Sequence, residues 1–221
     1  MANTYFQFKQ FIVHQEHTAM KVCTDACLFG AWVAEDSILQ DAKSVLDIGT
    51  GTGILSLMLA QATQQASQPA LITALEIEIS AAKEAASNFE KSPWKNRLQV
   101  LHQSLQSYTI AALSNQNKYD VIISNPPFFE GDLHSTNEAK NLAAHSIALP
   151  WETLCQHASQ LLNNNGVYYC LIPALRAYTM QKYCEANGLY LTQELTVYNS
   201  AKQMPFRMLQ KFIKGSAPNI I

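Results

Sequence analysis

The chain has 221 residues, 48% hydrophobic and 14% charged. That is enough apolar material for a full core and excludes a disordered chain. The formal net charge of -2 argues against a strongly basic nucleic-acid binder, whose affinity rests on Lys and Arg at phosphates. No basic leader precedes an apolar run. No stretch approaches the roughly 18 consecutive apolar residues of a membrane span, so no membrane partner is expected. Cys23, Cys27, Cys155, Cys170 and Cys184 form no C-x-x-C pair. That spacing suggests neither a zinc ribbon nor a redox motif and fits a reducing cytoplasm. His14 and His17 are three apart, but nothing suitable completes a metal site, so no metal is expected.

In chain order, residues 44–48 form a short apolar run ending at glycines, the pattern of a buried strand. Residues 54–66 read as a helix, with Ile54, Leu55, Met58, Leu59 and Ala62 on one face. A Gln-rich loop at 64–69 leads to a second strand at 70–75. Ile79, Ala82, Ala86 and Phe89 recur at helical spacing. A third strand is expected at 98–102 and a fourth at 119–124, broken by Pro126 and Pro127. Pro150 suits the first turn of a helix that carries Leu154, Ala158, Leu161 and Leu162 on one face. Residues 163–166 should end it, with Gly166 as the cap. Residues 167–172 form a fifth strand, and 189–198 and 207–213 two more. Strands alternating with helices imply an α/β fold, a doubly wound and mostly parallel seven-stranded sheet. The last two strands have no helix pattern between them and should pair antiparallel. The long polar connection at 126–149 follows a strand, where such folds usually place their chemistry.

Residues 47–53 read D-I-G-T-G-T-G between a strand and a helix. Glycines there let the backbone turn sharply and approach a ligand. The helix N-terminus beyond them offers N–H groups to an anion. Glu76, at the end of the next strand, can accept both ribose hydroxyls of a nucleoside cofactor. A dinucleotide fingerprint, G-x-G-x-x-G, would need glycine at Ile54 or Ser56 and is absent. The G-x-G-x-G spacing, preceded by Asp47, suits S-adenosyl-L-methionine instead. That cofactor has no pyrophosphate, and an acid can help organise its polar end.

Residues 125–128 read N-P-P-F after the fourth strand. The Asn125 side-chain oxygen and the Pro126 carbonyl can accept the two hydrogens of an amino group and aim its lone pair at a methyl. Pro126 and Pro127 stiffen the turn, and Phe128 offers a ring on which a flat substrate can stack. No strong base is needed, because the amine loses its proton after it becomes cationic.

With both motifs in place, the chain resembles the class I methyltransferases of the N-P-P-[FY] group. More narrowly, it is similar to the bacterial tRNA(Val) adenosine N(6)-methyltransferases, which modify the adenosine 3′ of the anticodon. The residues that carry this are F-K-Q-F at 8–11, A-M-K-V-C-T-D at 19–25, L-D-I-G-T-G-T-G-I-L at 46–55, S-P-W-K-N-R at 92–97, I-I-S-N-P-P-F at 122–128 and M-P-F-R-M-L at 204–209. The resemblance implies a single Rossmann-like methyltransferase domain over 44–214. Ahead of it, a segment at 1–43 closes over substrate and cofactor. It implies catalytic roles for Asn125, Pro126, Pro127 and Phe128, and a tRNA partner. The cofactor residues it implies are Lys21, Asp25, Asp47, Gly49, Gly51, Thr52, Gly53, Glu76, Ile77, Ser104, Leu105 and Asn125, with residues 21–25 over the methionine end.

The chain departs from the family pattern in places. Ser104 stands where relatives usually carry an acid near the adenine ring. Lys140 matches the first arginine of an R-x-x-x-R arrangement and Ala144 the second, which thins the charge near the substrate. The chain also ends soon after the last strand, which implies that a short C-terminal element is absent. Trp32, Trp94 and Trp151 read as packing residues. Lys202, Arg207, Lys211 and Lys214 form either a basic edge for a tRNA backbone or ordinary outward charges. The alternatives are methylation of a protein glutamine or an rRNA guanine, an NAD oxidoreductase, and a silent RNA-binding relative.

Overall fold

The structure is a computed structural model that describes residues 3–18, 20–127, 149–200 and 203–215. A short antiparallel hairpin, β1 (Tyr5–Gln7) and β2 (Ile12–His14), opens the chain. Helices α1 (Thr24–Ala34) and α2 (Ile38–Asp41) follow. Then come β3 (Ser44–Ile48), α3 (Ile54–Ala62), β4 (Leu71–Glu76), α4 (Ile79–Glu90), β5 (Leu98–His102), α5 (Leu105–Ser114) and β6 (Tyr119–Ser124). The C-terminal part holds α6 (Trp151–Leu161), β7 (Leu162–Pro173), α7 (Ala177–Ala186), β8 (Leu189–Tyr198) and β9 (Pro205–Lys214).

The main sheet has seven strands in the order β5-β4-β3-β6-β7-β9-β8. The first five are mutually parallel, and β9 runs antiparallel to both β7 and β8. Side chains alternate between the two faces. Val45, Val121, Ile123 and Leu171 pack with Phe29 and Val33 of α1, Leu55 and Leu59 of α3, and Phe89 of α4. Leu46, Ile48, Ile122, Cys170 and Phe212 pack on the other face with Leu105 of α5, Leu154 and Ala158 of α6, and Met180 of α7. Burial on both faces explains why these strands read as continuous apolar runs. Phe11, Val13, Phe29, Val33 and Leu39, all before residue 43, belong to the same core as the sheet. Trp94 and Trp151 are buried and Trp32 packs against the core.

The parallel strands and the terminal antiparallel pair follow the sequence expectation. Three local readings change. Helix α3 ends at Ala62 rather than 66. Helix α6 ends at Leu161, and β7 starts at once. The left-handed residue there is Asn165 (φ 62), not Gly166. Gly166 instead permits close approach, since a Cβ on it would lie 2.9 Å from the Asn163 carbonyl oxygen and 3.2 Å from that of Asp120. Helices α1, α5 and α7 were not foreseen. In α1 the buried stripe of Ala26, Phe29, Gly30 and Val33 is masked by apolar Cys27, Leu28, Ala31 and Trp32 around it.

The chain leaves β3 toward β4 and β5, then returns to the other side of β3 as β6. The connections after β3 and β6 therefore diverge at their C-terminal ends and open a crevice there. Gly53 sits at the start of α3 with φ 84, and a Cβ on it would meet Phe89 Cε1 at 2.5 Å. Gly53→Ala should lower the unfolding free energy by about 2–4 kcal/mol, combining backbone strain and overpacking. Gly49→Ala carries strain alone, for φ is 74 and no other atom lies within 4 Å of its Cβ position. It should cost about 1 kcal/mol. Urea unfolding of the two variants checks this, and equal losses would refute the packing argument.

Candidate active site

A cavity of about 520 Å³ lies at the crevice. Its floor is the turn after β3. Gly49 N and Thr50 N donate to the Leu75 carbonyl at 2.9 and 3.0 Å, and Gly53 N donates to the Thr50 carbonyl at 2.9 Å. Gly49, Gly51 and Thr52 line the cavity, whereas Gly53 stands behind them against Phe89. Asp47 is also behind the turn and fully buried. Its Oδ2 accepts from Thr50 Oγ1 (2.6 Å) and Ser56 Oγ (2.7 Å). Its Oδ1 has no partner among the described residues. Burial pushes its pKa up to about 6, against the opposing hydrogen bonds from Thr50 and Ser56.

Glu76 ends β4 and lines the cavity wall. Its Oε2 accepts from Gly51 N (2.9 Å), and its Oε1 from Ile77 N (2.9 Å) and Glu78 N (3.0 Å). One carboxylate thus fixes the glycine turn and the entry to α4. Ile77 lies beside it, half exposed. Ser104 and Leu105 line the next stretch of wall. Ser104 caps α5 by accepting from Ser107 N (3.2 Å), so the small hydroxyl serves the helix end rather than presenting a charge.

Asn125, Pro126 and Pro127 also line the cavity, just past β6, whose last residue Ser124 pairs with Ile48 ahead of the glycine turn. Asn125 Oδ1 is buried and accepts no hydrogen bond among the described residues. Phe128, Lys140 and Ala144 lie outside the described residues. Lys21 lines the cavity together with Val22 and Cys23. Asp25 does not line it, and its carboxylate accepts from Arg207 Nε of β9 at 3.1 Å. Burial opposes the charge on Asp25, but hydrogen bonds from Cys23 and Arg207 outweigh it and hold the carboxyl below the usual range.

The structure thus gathers eleven of the fifteen sequence-selected residues around one cavity, with Asp47 and Gly53 behind its floor, Asp25 beyond its wall and Phe128 outside the described residues. Thr18, Gln103 and Leu149 line it as well without having been singled out. Gln103 had a signal, its place just after the third parallel strand. Among the described residues, no group of three or more His, Cys, Asp and Glu is arranged to hold a metal.

The profile of the methyltransferase small domain matches residues 33–180. The chain belongs to the methyltransferase small domain family. Among its relatives, the tRNA1(Val) (adenine(37)-N6)-methyltransferase of Dyadobacter fermentans is 39% identical over 220 residues, covering 99% of this chain and 86% of that protein. The protein of the same name from Bacteroides thetaiotaomicron is 40% identical over 212 residues, covering 96% and 84%. A SAM-dependent methyltransferase from Agrobacterium tumefaciens superposes with a TM-score of 0.67 at 14% identity, covering 96% of this chain and 70% of that one. The 16S rRNA N2 methyltransferase of T. thermophilus, solved with AdoMet and guanosine, gives 0.63 at 20% identity, and this chain spans 47% of its length. Those two likenesses speak to the fold shared across the family.

Asp47 makes stability depend on pH. Its folded pKa lies above the ordinary carboxylate value near 4, so between about pH 6 and pH 4 the folded state binds more protons than the unfolded one. The contribution of Asp47 therefore rises as pH falls through that window and is lowest above pH 6. Asp47→Asn should remove this part of the pH dependence. The difference in denaturation midpoint between pH 7.5 and pH 5 should shift accordingly in denaturant titrations, and an unchanged difference would contradict the assignment.

Proposed function

We propose that the chain transfers a methyl group from S-adenosyl-L-methionine to the exocyclic amino group of an adenosine in tRNA(Val), the one 3′ of the anticodon. The observation that carries the chemistry is the buried Oδ1 of Asn125 on the cavity wall, which has no partner among the described residues. A buried acceptor without a donor is costly and calls for a ligand donor. The names of the relatives support the substrate. The cavity lies within the roughly 300–1,000 Å³ usual for small-molecule sites. Its lining, a carboxylate beside a glycine turn together with a lysine, suits a nucleoside bearing an amino-acid tail.

In this reading Glu76 accepts the ribose hydroxyls, Ile77, Ser104 and Leu105 flank the adenine, and Lys21 faces the cofactor carboxylate. Asp47 and Gly53 shape the turn from behind. When bound, the cofactor supplies an electrophilic methyl on a sulfonium centre. Asn125 Oδ1 and the Pro126 carbonyl accept the two amino hydrogens and direct the nitrogen lone pair. As the nitrogen gains its fourth bond it becomes cationic, and both oxygens stabilise that charge until a proton leaves to water. Pro127 keeps the turn stiff. Phe128 is assigned the stacking of the flipped-out base. Asp25 acts from the closing segment at 1–43, through its pairing with Arg207.

Cytoplasmic residence belongs to the same proposal. All five cysteines are unpaired, and Cys155 and Cys184 remain thiols with sulfurs 3.5 Å apart. Among the described residues no helix is long and apolar enough to cross a membrane.

Asn125→Ala should slow methyl transfer about a hundredfold or more while RNA affinity changes little. Single-turnover kinetics on unmodified tRNA, with mass spectrometry of the nucleosides, measures both the rate and the product. A normal rate would sink the catalytic assignment. A product other than N6-methyladenosine would sink the substrate assignment.

RNA binding should also be only weakly salt-dependent. Arg207 is paired with Asp25 and Lys211 with Asp36, and Lys214 donates to the carbonyls of Ser159 and Leu162. Lys202 lies outside the described residues. With so few cations left for phosphates at that edge, log affinity against log salt should have a slope no steeper than about -3. A slope several times steeper in fluorescence titrations would contradict this.

A further inference from the structure

The segment that covers the cavity is held by two side chains on α4 that do not themselves line it. Glu84 is 5% exposed and Asn88, four residues on, is 1% exposed, so both lie on one face of the helix. Glu84 Oε1 accepts from the backbone N–H groups of Glu16 (2.5 Å) and His17 (3.0 Å), and Oε2 accepts from the Thr18 hydroxyl. Asn88 Oδ1 accepts from His14 N (2.9 Å), and its Nδ2 donates to the carbonyls of His14 and Thr52 at 2.9 Å each. Asn88 therefore joins the segment, the helix and the glycine turn. Farther along, Gln15 Oε1 accepts from Val22 N at 2.8 Å. Thr18, Lys21, Val22 and Cys23 then line the cavity, and Thr18 Cγ2 lies 3.7 Å from where a Cβ on Gly51 would stand.

We propose that Glu84 and Asn88 latch residues 14–18 onto α4, and that this latch sets cofactor affinity by positioning the cavity wall, with neither residue touching the cofactor. The proposal rests on the reading of the cavity as an S-adenosyl-L-methionine site. Among the described residues, the partners of the Glu84 carboxylate, Glu16, His17 and Thr18, all belong to the segment. Burial opposes its charge, and the hydrogen bonds from Thr18, His17 and Glu16 outweigh burial. A hydrogen-bonded fastening, unlike a greasy one, can open by exchanging its donors for water. The chain needs such an opening wherever a ligand enters beneath a covering segment.

The test measures binding of S-adenosylhomocysteine by calorimetry and amide hydrogen exchange at Glu16 and His17 in the cofactor-free protein. Glu84→Ala should weaken binding about tenfold or more, the scale of losing hydrogen bonds to a charge. It should also speed exchange at both amides, and it should raise the KM for the cofactor far more than it lowers kcat. Glu84→Gln keeps one acceptor oxygen and should recover much of the affinity. Thr18→Val, which keeps the side chain's size against the cavity and removes only the donor to Glu84, should weaken binding severalfold. If Glu84→Ala does not fold, Thr18→Val still decides, and an affinity equal to the parent's would overturn the proposal. Faster exchange with unchanged affinity would likewise overturn the link to the cofactor. Failure of the parent protein to bind S-adenosylhomocysteine would instead overturn the functional reading, and amide exchange would still report on the latch.

Discussion

The turn after β3 is the constraint on which the site depends, and three polar side chains from different elements hold it. Asp47 grips it from inside through Thr50 and Ser56. Glu76 reaches it from β4 through Gly51 N. Asn88 reaches it from α4 through the Thr52 carbonyl. Each contact spans a different pair of elements, so β3, β4, α3 and α4 meet at one short stretch of backbone. Turns with positive φ lose conformational entropy on folding. Directional bonds from three sides fix this one in a single shape, which packing alone does poorly.

The N-terminal segment is tied to the sheet by charge as well as by the core. Asp25 of α1 meets Arg207 of β9, and Asp36 accepts from both Lys211 and the Tyr169 hydroxyl. These pairs are mostly shielded, with side-chain exposures of 14–19%. Losing one partner would leave a partly buried charge exposed to the full cost of desolvation. The same pairs, with Lys214 bound to backbone carbonyls, engage the described cations near the C-terminal strands, Arg207, Lys211 and Lys214. Cations that look from the sequence like an RNA-facing edge are engaged in holding α1 and α6 against β9 and β7.

What the sequence revealed follows the range over which its physics acts. The limits of β5 and β6 were legible to the residue because both end at polar or proline breaks, and β6 is buried along nearly its whole length. The glycine turn and the N-P-P stretch were legible because local backbone geometry demands those residue types. Helices α5 and α7 were not, since their apolar stripes are short and interrupted. Gly166 was misread because what it needs is close approach, to the Asn163 carbonyl and to that of Asp120 on another strand, and not a left-handed backbone. Glu84 and Asn88 were invisible for a similar reason. On a helix face they read as ordinary polar residues, and their partners lie 66 to 74 positions earlier for the covering segment.

Among the described residues, two buried oxygens remain without donors near the cavity, Asp47 Oδ1 and Asn125 Oδ1, and they differ in what can relieve them. Asp47 stands behind the turn, with its other oxygen already accepting two hydroxyls, so a proton relieves it most directly, as its raised pKa reflects. Asn125 cannot take up a proton at ordinary pH, and no donor among the described residues reaches its amide oxygen. Each unmet acceptor costs on the order of 1–3 kcal/mol, and a fold that needed only a stiff turn after β6 would be more stable with an apolar residue at 125. In the proposed reading, the unmet bond at Asn125 is a preorganised acceptor. Its desolvation cost falls on folding, and binding an amino group there regains a hydrogen bond in a site already shielded from water.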